Sequence, residues 1–212
     1  SLLFGKPPKM SRKDTSIPME LSHVNIDNVK LVDAIDRVLQ LPSVGSKSFL
    51  NTIADRTVTG LIDRDQFVGP WQVPVADVGV TCTSLGEELI LTGEALAMGE
   101  KPTLAIVDPA ASAQMCVAES LMNLIAADIK TLSMVKLSAN WMSSASTPGE
   151  GAALYKAVQA IGMDLCPALG IEIPVGKDSM SMKMTWDDKT DMSPLSLVIT
   201  AFCGVTDTSK TW

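Results

Sequence analysis

Apolar and polar positions follow two rhythms along this chain, and the switches between them outline its elements. Leu31, Ile35, Val38 and Leu39 recur at helical spacing, with Asp27 or Asn28 as the expected cap and Pro42 as the stop. Residues 49–53 read as a strand and 57–62 as its hairpin partner across Asp55-Arg56. A longer strand is expected over 72–83, after the Gly69-Pro70 turn. Residues 85–98 read as a helix that contains Gly93 and stops at Gly99. The apolar run 103–107 suits a strand covered on both faces, ended by Asp108-Pro109.

The clearest helix is expected over 110–129, followed by a strand over 133–140. Thr147-Pro148-Gly149-Glu150 has the form of a capping box. The helix it opens carries Leu154, Val158, Ile161 and Leu165 on one face and ends within Pro167 to Gly170. Residues 171–175 then run into a loop, Gly176-Lys177-Asp178-Ser179. Residues 180–186 and 195–205 read as paired strands, with Met180, Met182 and Met184 on a core-facing side. The order of elements gives an α+β (mixed α/β) protein. Residues 1–28, rich in Pro, Ser, Lys and Asp, read as a linker from a preceding domain. No terminal helix covers the last strand pair before Trp212, so the chain is expected to be a piece of something larger.

Composition narrows the classes. The 212 residues are 46% hydrophobic, enough for a real core and too apolar for general disorder. A net charge of −7, with no Lys/Arg cluster among aromatics, argues against a nucleic-acid partner. No apolar run approaches the length of a membrane span. Cys82, Cys116, Cys166 and Cys203 are scattered in apolar company, which suits reduced thiols and a cytoplasmic location. With His23 as the single histidine and no CxxC pair, zinc and Cys-His nucleophile chemistry are set aside.

The candidate chemistry is anionic and oxygen-based. Asp77 interrupts an apolar segment, and a carboxylate there needs a positive partner if buried, either a structural one or a bound cation. Along the 110–129 helix, Ser112, Cys116, Glu119 and Asn123 fall on one polar stripe. Two readings are open: Glu119 pairs with a neighbouring Lys or Arg, or Glu119 and Asn123 offer two oxygens to a hard cation such as Mg²⁺. Gly45-Ser46-Lys47-Ser48 lacks the full Walker spacing, but Lys47 could meet a phosphate. The 176–179 loop pairs a Gly turn with Lys177 and a hydroxyl, which suits an anion as well as it suits a plain turn.

The strings DRDQFVGPWQVPVAD, GEALAMGE, AESLMN, KLSANWM, LCPALG and IPVGKDSMSM resemble the phosphoribosylformylglycinamidine synthases, large single-chain type, most closely the fungal ones. The likeness runs over nearly the whole chain and implies the first part of the second of two synthetase halves. It implies an aminoimidazole-ribonucleotide-synthetase-like N-terminal αβ domain over 29–168, then the start of a C-terminal α/β domain over 169–212. The parent activity would be an ATP-dependent C–N ligase of purine biosynthesis, converting formylglycinamide ribonucleotide and glutamine to the amidine. This half would hold an auxiliary nucleotide, ATP or ADP, through Mg²⁺. Asp77, Glu119 and Asn123 match the metal positions, Ala76 lies beside the nucleotide, and Lys47 meets its phosphates. A further metal ligand and a further nucleotide contact would lie past Trp212. No catalytic residue is expected here, and the isolated segment is expected to be inactive. The remaining synthetase and glutaminase domains would be its partners. Two competing readings are a nucleotide-holding structural module and another synthetase of the same superfamily.

Overall fold

The computed structural model describes residues 13–17, 19–54, 60–65, 67–74, 76–85 and 90–212. Its centre is a five-stranded sheet in the order β3-β4-β9-β5-β6: β3 is Val78–Cys82, β4 Gly93–Glu100, β5 Lys136–Met142, β6 Glu172–Ser179 and β9 Ser196–Val205. All neighbours are antiparallel except β5 and β6. β9 is the middle strand and is paired along its length by β4 on one side and by β5 on the other. Two short hairpins complete the strands: β1 (Phe67–Val68) with β2 (Val73–Pro74), and β7 (Lys183–Trp186) with β8 (Lys189–Met192).

One face of the sheet is dry. Ala95, Ala97, Leu137, Ala139, Ile199 and Ala201 point toward helix α4 (Pro109–Leu124), which answers with Ala113, Cys116, Val117 and Leu124. Alanines on both sides let helix and sheet lie close. The α4 start follows from its first residues: Asp108 accepts hydrogen bonds from the Ala110 and Ala111 N–H groups at 3.0 Å, and Pro109 occupies the first turn. Helix α5 (Glu150–Gln159) packs beside α4 and continues through a π-helical turn, Ala160–Leu165, into α6 (Cys166–Leu169). Gly170, with φ 67, ends it in the left-handed conformation.

The helices at 110–129 and 31–39 and the strand near 133–140 are found close to their expected places, as α4, α1 (Leu31–Leu39) and β5. α1 differs in its surroundings: its cap is Lys30 without a side-chain bond, and its apolar face, with Leu31 75% exposed, has no cover among the described residues. Several other expectations are overturned. Residues 85–98 do not form one helix. Beyond 86–89, which lie outside the described residues, β4 alternates buried Gly93, Ala95 and Ala97 with exposed Glu94, Leu96 and Met98. Pairing on both edges overrides the helix preference of Glu, Ala, Leu and Met. The run at 103–107 coils instead into α3 (Pro102–Ala105), and 49–53 into α2 (Ser48–Ile53). Among the described residues no strand pairs with either segment, and the backbone bonds itself, as Ala54 N–H does to Leu50 O. Half of the strand expected at 57–62, residues 57–59, lies outside the described residues, and Ile62 makes an isolated bridge to Thr81.

Later in the chain, Gly176 to Ser179 are not a loop. They are the second half of β6, with backbone groups in the β5 ladder and Lys177 Nζ donating to Ser179 Oγ at 3.1 Å. That removes the anion nest. Residues 195–205 do not pair with 180–186, because β9 takes the central slot, and Met184 lies on an exposed strand, 66% accessible. The strand expected over 72–83 is broken before Val78, leaving Asp77 at a bend. The division expected at residue 168 cuts through one sheet, since β6 and β9 complete what β3, β4 and β5 begin.

The capping box at 147–150 also fails. Thr147 Oγ1 is taken by Ser144 Oγ at 2.8 Å, and Gly149, at φ 89, turns the chain into α5. The cap comes from far away: Asp14 Oδ1 accepts from Gly149 N–H at 2.8 Å and Oδ2 from Ala152 N–H at 3.0 Å. Beside it, Glu150 Oε2 is buried and has no hydrogen-bond partner among the described residues. Burial raises the Glu150 pKa above the usual glutamate value, and the Asp14 charge adds to the shift. A carboxyl that holds its proton more tightly when folded stabilises below its unfolded pKa and loses that contribution as pH rises through the folded one. Glu150→Gln should therefore melt roughly 1–4 °C higher than the wild type at pH 7, with the gap closing as pH falls through the ordinary glutamate range. Melting curves at pH 4, 5.5 and 7 check this, and a gap that widens on acidification contradicts it.

Candidate functional site

At the β3–β4 edge of the sheet, a cleft of about 720 Å³ opens between the strands and α4. Lys47, Ala76, Asp77, Glu119 and Asn123 all line it, together with Trp212. The five residues singled out by sequence thus share one concave surface although they span 76 positions, the difference between 123 and 47. Asp77 comes from the bend before β3, Glu119 and Asn123 from consecutive turns of α4, and Lys47 from the loop before α2.

What each side chain does there differs. Glu119 has both oxygens engaged: Oε2 accepts from the Glu100 backbone N–H at 2.8 Å, and Oε1 is ion-paired with Lys101 Nζ. Of the two readings left open for Glu119, the lysine pair is therefore present. Asn123 donates its side-chain N–H to Met98 O at 2.9 Å, so Oδ1 is the end of the amide not engaged by β4. Asp77 is exposed and has no ion-pair partner among the described residues. Lys47 donates to the carbonyls of Pro42 and Gly45, each at 2.7 Å, so its ammonium braces its own loop. Among the described residues no three His, Cys, Asp or Glu side chains gather as metal ligands; Asp77 and Glu119 are two carboxylates and the third expected donor is an amide.

Cys116 shares the α4 stripe with Glu119 but is no nucleophile. Its Sγ donates to Leu197 O at 3.3 Å in the core, and burial pushes the thiol pKa up to about 11. All four cysteines are free thiols, three of them buried.

Sequence reasoning missed two residues here: Gly99, which lines the cleft, and Lys101, which pairs with Glu119. Gly99 was expected as a helix stop, yet it sits in β4 under α4. A Cβ there would lie 2.2 Å from Cys116 O, 2.7 Å from Ser120 N and 3.0 Å from Glu119 Cβ. Only a missing side chain lets α4 approach closely enough for Glu119 to reach the Glu100 N–H. The available signal was the alternation of small and large residues, Ala95-Leu96-Ala97-Met98-Gly99-Glu100, in which Gly takes a small-residue place and marks close backbone approach once the run is read as a strand.

Fold and cleft together define a mixed α/β domain with an oxygen-rich cleft at the edge of an antiparallel sheet that carries one parallel strand. The family model described as FGAR-AT PurM_N-like domain matches residues 46–204, and the chain belongs to that family. It is 68% identical over all of its 212 residues to phosphoribosylformylglycinamidine synthase of Saccharomyces cerevisiae. The identity to the enzyme of the same name from Schizosaccharomyces pombe is 59%, again over 100% of this chain. The chain spans 16% and 17% of those two proteins. Among solved structures, PurL of Thermotoga maritima complexed with ATP aligns at 18% identity with a TM-score of 0.45, covering 61% of this chain and 20% of that one.

Gly99→Ala should lower the melting temperature, because backbone of α4 at 2.2 Å has nowhere to yield. Overpacking of this kind costs about 1–3 kcal/mol, or roughly 2–10 °C in a chain of this size. An unchanged melting temperature would show that α4 does not depend on this contact.

Proposed function

We propose that the chain is a segment of an ATP-dependent ligase of purine biosynthesis, forming formylglycinamidine ribonucleotide from formylglycinamide ribonucleotide and glutamine, and that its own task is to hold an auxiliary magnesium nucleotide in the cleft. The observation that carries this is the convergence of Asp77, Glu119, Asn123, Ala76 and Lys47 on one concave surface. Identity of 68% and 59% along the whole of this chain to two fungal enzymes of that name supports the parent activity. The remaining synthetase and glutaminase domains would be the partners of this segment, and the cytoplasm its compartment. No helix among the described residues is long and apolar enough to cross a membrane.

The donor set fits a hard cation. Asp77 carries a carboxylate with no ion-pair partner among the described residues, Asn123 keeps Oδ1, and Glu119 brings Oε1 once its lysine is exchanged. A magnesium ion held by these oxygens would offset the charge of nucleotide phosphates. The chain's own residues supply the position: β4 fastens Glu119 and Asn123 through Glu100 N–H and Met98 O, so both oxygens are oriented before a ligand arrives.

Those same two bonds favour a second reading, in which Glu119 and Asn123 serve the fold and the cleft is a structural nucleotide site. Asp77, exposed and outside any such bond, separates binding from folding. Calorimetry with ADP and Mg²⁺ should show binding by the wild type. Asp77→Asn and Glu119→Gln should each weaken it about tenfold or more, the scale of a lost charged partner. Asp77→Asn should leave the melting temperature of the unliganded chain unchanged. Absence of binding by the wild type, or full binding by Asp77→Asn, would overturn the assignment of the cleft.

A further inference from the structure

We propose that Lys101 is the resident counter-ion of the cleft: it neutralises Glu119 Oε1 while no divalent cation is present, and competes with an arriving cation for that oxygen. The inference rests on the reading of the cleft as a magnesium–nucleotide site. It starts from the unequal partners of the two Glu119 oxygens. Oε2 is held by a backbone N–H of β4, at Glu100, and Oε1 by the flexible ammonium of the next residue. A backbone donor does not leave, whereas a lysine head on four methylenes swings at little cost. The carboxylate therefore stays in place while Oε1 alone changes partner.

The main chain of Lys101 is also anchored independently of its side chain. Its carbonyl accepts from Ser112 Oγ at 2.6 Å, which ties it to the first turn of α4. Exchange at Oε1 then moves one side chain and neither β4 nor α4. Exposure sets the size of the effect. The Lys101 and Glu119 side chains are 35% and 33% exposed, so water screens the pair and its net worth is that of a surface bridge. A fully buried pair would hold the oxygen too tightly to yield it. A monovalent ammonium and a divalent ion repel one another at contact distance, so each weakens the hold of the other on Oε1. Lys101 thus acts as a built-in competitor that a double charge displaces more readily than a single one. The lysine also keeps Glu119 from facing the neighbouring Glu100 and Asp77 carboxylates unneutralised when the cleft holds only water.

The test uses the full chain and Mn²⁺ as the probe, with free Mn²⁺ read by electron paramagnetic resonance, and Mg²⁺ calorimetry at saturating ADP as a second readout. Lys101→Met and Lys101→Gln should bind either cation about two- to fivefold more tightly than the wild type, the equivalent of one screened ion pair. Lys101→Arg, which restores the cation, should match the wild type. If the wild type binds and the neutral variants bind with equal or lower affinity, the role of Lys101 is wrong while the cleft assignment stands. If neither wild type nor variants bind Mn²⁺, the cleft assignment falls and this inference with it.

Discussion

The close passage of α4 over β4 is the constraint on which the rest depends. At Gly99 helix and strand backbones come so near that a methyl group would sit 2.2 Å from a helical carbonyl. That proximity allows the Glu100 N–H to reach Glu119 and the Met98 carbonyl to reach Asn123, each across 19 and 25 residues of sequence respectively. The same strand lies between β3, which follows the bend at Asp77, and β9, the spine of the sheet. One glycine thus sets both the packing of the core and the posture of two of the cleft's oxygen donors.

Electrostatics in the cleft follows from what each carboxylate is offered. Glu119 has a backbone donor and a lysine, and Asp77 has neither among the described residues. Asp77, Glu100 and Glu119 all line the cleft, yet among the described residues no three acidic side chains gather at one point, and the third expected donor is an amide. At the opposite end of the core, Asp14 and Glu150 show the contrary arrangement. One carboxylate caps a helix, and its neighbour is left buried without a donor, so the second is the one whose proton is held. Paired donors decide which acid stays charged.

Local signals carried far where they acted through nearest neighbours. The helix end at Pro167 to Gly170 and the polar stripe of α4 were readable because helix stops and helical periodicity involve residues within a turn or two, whereas Asp108-Pro109, read as the end of a strand, turned out to open α4. The stripe with Glu119 and Asn123, and the lone Asp77, were therefore visible, and the long diagnostic strings pointed to the family that the domain match shows.

Sheet membership was not legible in the same way. Whether Glu94-Ala95-Leu96-Ala97-Met98 coils or extends depends on β3 and β9 being there to pair with it, and neither is a sequence neighbour of the whole run. The same holds for the helical 49–53 and 102–105, which no strand pairs with among the described residues, and for 176–179, which have a partner in β5. So the chain's own residue order determined the long helix α4 with its polar stripe, the chemistry types in the cleft and the family. The tertiary structure decided which segments are strands, that Asp14 rather than Thr147 caps α5, and that Lys101 meets Glu119. Hydrogen-bond partners across a sheet or beneath a helix are chosen by the folded neighbourhood, and no local pattern encodes them.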